Sequence, residues 1–309
     1  MLLGSFAIGG AGMLQPSLPI GVFDSGLGGL TVARALSDHL PNESIWYVGD
    51  TKRCPYGPRK QVEVRSFARQ VGKWLAKHDI KLMVIACNTA TAAAFYTLQK
   101  ELPVPVIGVI EPGARAACMA SRSRKIGVLA TQGTVASNSY AQALHFLDAS
   151  VEVTQCAAPR FVQTVEEELA HGGHMHQDWK HNPEIFDTPE VYAMVREDCA
   201  PLLNKDIDTV VLGCTHFPLL SAQIKAVLGD DVCIVDPAEE TAREVKETLK
   251  RRGILAASSD AVRGVHAEPT YRFATTSDDI TSFAVAGKFV FGHDLDSIEH
   301  IELSELETL

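Results

Sequence analysis

Val84-Ile85-Ala86-Cys87-Asn88-Thr89 and Val211-Leu212-Gly213-Cys214-Thr215-His216 are two versions of one pattern. Each is a short apolar run that breaks at a small residue and a cysteine, with hydroxyl, amide or imidazole side chains directly after. Short apolar runs rich in β-branched residues, alternating with longer helical patterns, read as α/β with a mainly parallel sheet. Working outward from the pair, strands are predicted at 20–23, 45–48, 82–86, 106–109, 125–129, 151–154, 209–212 and 233–235. Helical patterns lie between them, for example at 31–37, 61–77 and 91–100.

The strands match in pairs. Ile20-Gly21-Val22-Phe23 resembles Ile126-Gly127-Val128-Leu129, and Ile45-Trp46-Tyr47-Val48 can be laid on Val151-Glu152-Val153-Thr154, both at an offset of 106 residues. The cysteine pair follows at 127, and Val109-Ile110-Glu111-Pro112 against Ile234-Val235-Asp236-Pro237 at 125. The jump has a source in the extra polar stretch at 171–184 of the second half. Four matches in one order favour a duplicated α/β unit. Ligands of parallel α/β sheets bind beyond the carboxyl ends of the strands. Two such halves facing each other would bring Cys87 and Cys214 to one cleft, an arrangement suited to a two-base reaction.

Composition sets the outer limits. At 309 residues the chain is comfortable as two domains, and 46% hydrophobic against 21% charged residues make it globular. A formal charge of −10 argues against nucleic acid as the main partner. Six of those charges (Asp294, Asp296, Glu299, Glu302, Glu305 and Glu307) fall in the last sixteen residues, so the body is only mildly acidic. Residues 1–18 are apolar but lack a basic n-region and are too short to span a bilayer; they are expected to be a flexible extension, with Met13 as a candidate start. Seven cysteines without C-x-x-C pairs fit a reducing cytoplasm rather than a disulfide framework.

A thiol becomes a base when helix N-termini or nearby cations lower its pKa toward neutrality. Cys87 and Cys214 are both expected beside a helix N-terminus, with His216 a proton partner for Cys214. A single buried cysteine would read as a small apolar residue; two at matched strand ends do not. Cys54, Cys118, Cys156, Cys199 and Cys233 have no such setting. Asp24-Ser25-Gly26-Leu27-Gly28-Gly29 follows the first strand. Its G-x-G-G spacing fails as a dinucleotide fingerprint, and Asp24 suits ammonium binding or proton transfer better than a phosphate. Thr131-Gln132-Gly133-Thr134 is its counterpart, with hydroxyls that could bind a carboxylate. Pro55-Tyr56-Gly57-Pro58-Arg59 is a turn at the same sheet edge. Glu166, from its spacing alone, reads as a solvated helix residue. His171, His174, His176 and His181 lack fixed ligand spacing, and no metal is expected.

Taken together, Ile20 to Gly29, Pro55-Tyr56-Gly57, Ala86-Cys87-Asn88-Thr89-Ala90 and Leu212-Gly213-Cys214-Thr215-His216-Phe217-Pro218 resemble the glutamate racemases of the aspartate/glutamate racemase family. The resemblance covers nearly the whole chain. It implies an isomerase that inverts glutamate at its α-carbon without a cofactor, supplying D-glutamate for peptidoglycan and thereby cell shape. Cys87 would deprotonate D-glutamate, assisted by Asp24, and Cys214 L-glutamate, supported by His216. Glu166 matches a further acidic site residue. Substrate contacts are implied for Asp24, Ser25, Tyr56, Gly57, Asn88, Thr89, Thr131, Thr134, Thr215 and His216. Two pseudo-symmetric parallel-sheet α/β domains would enclose the active site in their cleft: 19–110 with 219–292, and 111–218 between them, followed by an acidic tail at 293–309. No nucleic acid or membrane partner is expected, and a homodimer is compatible with the family. A relative acting on another amino acid (aspartate-type), a two-cysteine thiol oxidoreductase and a non-catalytic binding protein are alternatives that the residues alone leave open.

Overall fold

The computed structural model describes residues 15–171, 178–180, 183–257 and 268–309. The first fourteen residues, and with them Met13, lie outside the described residues, as do His174, His176 and His181. Among the described residues, ten strands form two sheets: β1 Ile20–Asp24, β2 Ile45–Gly49, β3 Leu82–Ile85, β4 Val106–Gly108, β5 Lys125–Ala130, β6 Glu152–Ala157, β7 Thr209–Gly213, β8 Cys233–Val235, β9 Tyr271–Thr275 and β10 Ile298–His300. The first sheet runs β10-β9-β2-β1-β3-β4 and the second β6-β5-β7-β8. Every pairing is parallel. The order β2-β1-β3-β4 therefore repeats as β6-β5-β7-β8; the first three matched pairs fall on corresponding strands, while of the fourth Val109–Pro112 lies just past β4 and Ile234–Val235 within β8.

Parallel sheets need cover on both faces, and their inner strands are apolar throughout. All residues of β1, β2, β3 and β7 are buried. The helices Leu30–His39, Gln61–Lys77 and Asn88–Glu101 lie where the periodicity predicts them. Helix Pro237–Arg252 packs on both Leu30–His39 of the first lobe and Ile110–Ala120 beside the second, tying the two together. It stops at Gly253, whose φ of +69° is a left-handed turn that glycine adopts freely. The returning chain is then held at the base of the first sheet. Buried Lys81 pairs with buried Glu43 and donates to the Ile254 carbonyl, while Glu43 accepts from Ala256 N.

Two expectations about the C-terminal third need correction. Cys233–Val235, expected to return to the first domain, instead pairs with β7 in the second sheet. Helix Ser221–Leu228 provides the short crossover that a neighbouring parallel strand requires. The stretch expected as an acidic tail is part of the fold. Ile298–His300 adds an edge strand beside β9, and Ile301 and Leu306 are buried against the core that contains Trp74. Its carboxylates are partly employed: Glu305 accepts from Trp74 Nε1 at 2.7 Å. Alternating charge with apolar residues also blunts an otherwise open sheet edge. Among the described residues, no helix is long and apolar enough to cross a membrane.

Candidate active site

The two cysteines leave corresponding strands and enter different local structures. Cys87 follows β3 and caps the helix Asn88–Glu101, its Sγ accepting from Ala90 N at 3.4 Å. Its thiol reaches the Ser25 hydroxyl at 3.6 Å. Cys214 follows β7, but the next element is the short 3₁₀ turn Phe217–Leu220. The helix N-terminus expected beside both thiols is thus present for Cys87 alone. In its place Cys214 has an imidazole: His216 Nδ1 lies 3.8 Å from its sulfur.

That imidazole is itself held. Its Nε2 is 2.5 Å from Oε1 of Glu166, which projects from helix Pro159–His171. Glu166 is therefore not the solvated helix residue that its spacing alone predicts. Burial by itself would lower the pKa of His216, but the Cys214 and Glu166 contacts outweigh it and raise it well above the usual value. These contacts favour the imidazolium form of a ring that lies two residues from one thiol. At the other thiol the balance is opposite. Burial, with the Asp24 carboxylate adding to it, pushes Cys87 up to about 12, and the bonds from Ala90 and Ser25 offset only part of this. The helix N-terminus does not bring Cys87 toward neutrality, because desolvation of the charged form is the larger effect. The two sides differ electrostatically: burial favours the protonated thiol at Cys87, and the contacts of His216 favour its charged form beside Cys214.

Both thiols line one cavity of about 420 Å³. Ser25, Tyr56, Gly57, Asn88 and Thr89 reach it from the first lobe, and Thr131, Glu166, Thr215 and His216 from the second. Asp24 and Thr134, both fully buried, stand behind this wall. Asp24 accepts from Gly26 N at 2.9 Å and from the Thr215 hydroxyl at 3.4 Å, which joins the first turn to the second cysteine motif. Burial raises its pKa and the His216 charge partly opposes that. Thr131 caps the helix Gln132–Ser137. Thr89, Thr131 and Thr134 form a hydroxyl cluster across the lobes at 2.9 to 3.3 Å.

The turn after β2 is fixed from behind. The Tyr56 hydroxyl donates to Asp50, which also accepts from Arg53 Nε at 2.7 Å and from the Thr276 hydroxyl at 3.0 Å. Gly57 O accepts from Gly133 N at 2.8 Å, so this turn bridges the cleft. Cys54, set aside in the sequence reading, also lines the cavity, and burial holds its thiol well above the usual range. Its position immediately before Pro55-Tyr56-Gly57 was the available signal. Among the described residues, no lysine or arginine lines the cavity. An acidic ligand here would be met by hydroxyls, amides and His216.

The first Gly-rich turn is shaped by close approach. A Cβ on Gly28 would fall 2.5 Å from His216 Nδ1 and 2.6 Å from the Thr215 hydroxyl. Gly28→Ala is expected to push the imidazole off Cys214 and lower turnover roughly 100-fold, on the scale of a lost acid–base partner. Steady-state turnover at wild-type levels would contradict that reading.

A pair of parallel α/β lobes presents one thiol from each sheet to a shared cavity, with an imidazole–carboxylate pair beside one of them, a set of groups suited to acid–base chemistry. The chain belongs to the Asp/Glu/Hydantoin racemase family, whose model matches residues 30–245. It is 46% identical over 258 residues to the glutamate racemase of Lysinibacillus sphaericus, covering 84% of this chain and 89% of that protein. Among solved structures it resembles a glutamate racemase isoform of Bacillus anthracis (TM-score 0.82, 42% identity, 94% of this chain and 99% of that one). It also resembles the Francisella tularensis glutamate racemase in complex with D-glutamate (TM-score 0.80, 30% identity, 95% and 100%).

Proposed function

We propose that the protein interconverts L- and D-glutamate without a cofactor, using Cys87 and Cys214 as the two bases. The observation that carries this reading is the presence of both thiols, one from each sheet, in a single cavity. Relatives that align over nearly the whole chain are glutamate racemases, which supports glutamate over an aspartate-type substrate.

In the L-to-D direction Cys214, as thiolate beside the His216 cation, takes the α-hydrogen as a proton. The C–H electron pair stays on the α-carbon and delocalises into the adjacent carboxylate. The Cys87 thiol then delivers its proton to the opposite face, so the two cysteines end with exchanged protonation states. The reverse direction uses the same groups in swapped roles. Charge developing on the substrate is met by donors fixed before it arrives, the Ser25 and Thr hydroxyls, Asn88 and the turn amides. Glu166 keeps His216 charged and oriented. Asp24 assists at Cys87, the thiol whose pKa its charge raises. The Thr131 hydroxyl, backed by Thr134, holds a substrate carboxylate group.

This reading includes supply of D-glutamate for peptidoglycan from the cytoplasm, and it accommodates a homodimer. The deciding measurement is the fate of the α-hydrogen. In deuterium oxide, each enantiomer should give product labelled at Cα, with optical rotation decaying to zero. Binding of glutamate without label incorporation would remove the enzymatic reading.

A further inference from the structure

Asn88 stands directly after Cys87 and lines the cavity. Its side-chain oxygen is engaged: the Tyr140 hydroxyl donates to Asn88 Oδ1 at 2.7 Å. Tyr140 comes from the opposite lobe, in helix Ser139–Leu147, is fully buried, and is not itself among the residues lining the cavity.

Tyr140 is placed with care by its surroundings. Asn138, at φ +57°, turns the chain between helices Gln132–Ser137 and Ser139–Leu147, a left-handed conformation that asparagine tolerates better than most residues. Gln155 holds that asparagine at 2.7 Å. The Tyr140 ring then fills space that a side chain would otherwise take. A Cβ at Gly213, the residue before Cys214, would lie 3.0 Å from Tyr140 Cε2, and one at Gly113 would lie 3.2 Å from its hydroxyl. One side chain thus touches the neighbours of both thiols.

An amide has two ends of opposite character, an acceptor oxygen and two N–H donors. With Oδ1 bound to the phenol, the donors are what Asn88 has left to offer the cavity. The distinction matters because, among the described residues, no lysine or arginine lines the walls. A donor stabilises a substrate carboxylate, whereas an amide oxygen in the same place repels it. We propose that Tyr140 is a positioning residue for the reaction: its hydroxyl fixes the Asn88 amide so that its N–H donors, not its oxygen, meet a carboxylate of the glutamate. The inference rests on the racemase reading above.

The test is a double-mutant cycle of Tyr140→Phe and Asn88→Ala, with KM and kcat measured in both directions. Phenylalanine keeps the ring against Gly113 and Gly213 and removes only the hydroxyl. Loss of one buried, ligand-orienting hydrogen bond should raise KM about tenfold and change kcat less than about twofold. In the Asn88→Ala background the same substitution should have no further effect, because its target is gone. Additive effects, an unchanged KM in Tyr140→Phe, or a loss confined to kcat would overturn the proposal. Should Tyr140→Phe fail to fold, Asn88→Asp serves in its place. Putting oxygen where the donors were must raise KM more than Asn88→Ala does, and the opposite order overturns the idea. Wild-type protein that exchanges no α-hydrogen would remove the racemase reading itself; wild-type racemisation with an additive cycle removes only this role for Tyr140.

Discussion

Cys87→Ala and Cys214→Ala are each expected to lower racemisation at least about 10³-fold, because each deletes the acid or base needed on one face of the α-carbon. The two variants should nevertheless differ in what survives. Cys87→Ala leaves Cys214 with its His216 partner 3.8 Å away, so it can still lift the α-hydrogen from L-glutamate. With no acid on the far face, the proton returns from the side it left. Slow deuterium incorporation into L-glutamate, with retention, is the expected result. Cys214→Ala should show the complementary behaviour with D-glutamate. Proton NMR of the α-position in deuterium oxide, alongside polarimetry, resolves both. Substantial inversion by either variant, or exchange into both enantiomers by one variant, would defeat the two-base assignment.

The second large effect is expected at His216. His216→Asn removes the cation beside the Cys214 sulfur and should reduce kcat/KM on the order of 100-fold. Mirror-image substrates have equal free energies in water, so the ratio of kcat/KM between directions must stay at one. The loss therefore has to be the same in both directions, even though only one cysteine has lost its partner. Glu166→Gln refines this. Glu166 is one of the contacts that hold the His216 pKa above its usual value. Removing the carboxylate lowers the pH at which the imidazolium loses its proton, so the alkaline limb of the pH–rate profile should move to lower pH. An unmoved limb, or one displaced upward, would show that the carboxylate does not set the charge of this ring.

The repeat was legible because strand-end chemistry is written locally. Val84 to Thr89 and Val211 to His216 carry their strand, break and polar residues within six positions, and the parallel sheet requires such breaks at its carboxyl edge. β9 and β10 were not legible. Tyr-Arg-Phe-Ala-Thr and Ile-Glu-His are short; β9 joins the first sheet through a partner more than 200 residues away, Ile45 with Tyr271, and β10 pairs only with β9. The acidic composition after residue 293 concealed the buried Ile301 and Leu306 for the same reason: burial there is decided by a distant helix. Within the site, residue types were readable but electrostatics were not. Helix 88–101 marks Cys87 for activation, while its full burial, a property of the closed tertiary fold, drives its thiol the other way. Glu166 likewise acquires its meaning only when the helix Pro159–His171 sets it against His216.

The two sheets also differ in how much chain each needs before it can close. All four strands of the second come from one uninterrupted stretch between Lys125 and Val235. The first draws on chain before and after that stretch, with β2 waiting for β9 and β10. Chain made from the N-terminus onward can therefore complete the inner, second sheet while the outer one still lacks two strands. Pairings of such separation carry the larger loop-closure entropy and the slower formation. In kinetic terms the sheet begun later is the earlier to be finished, and the β2 edge that β9 covers stays open until Tyr271–Thr275 have been made.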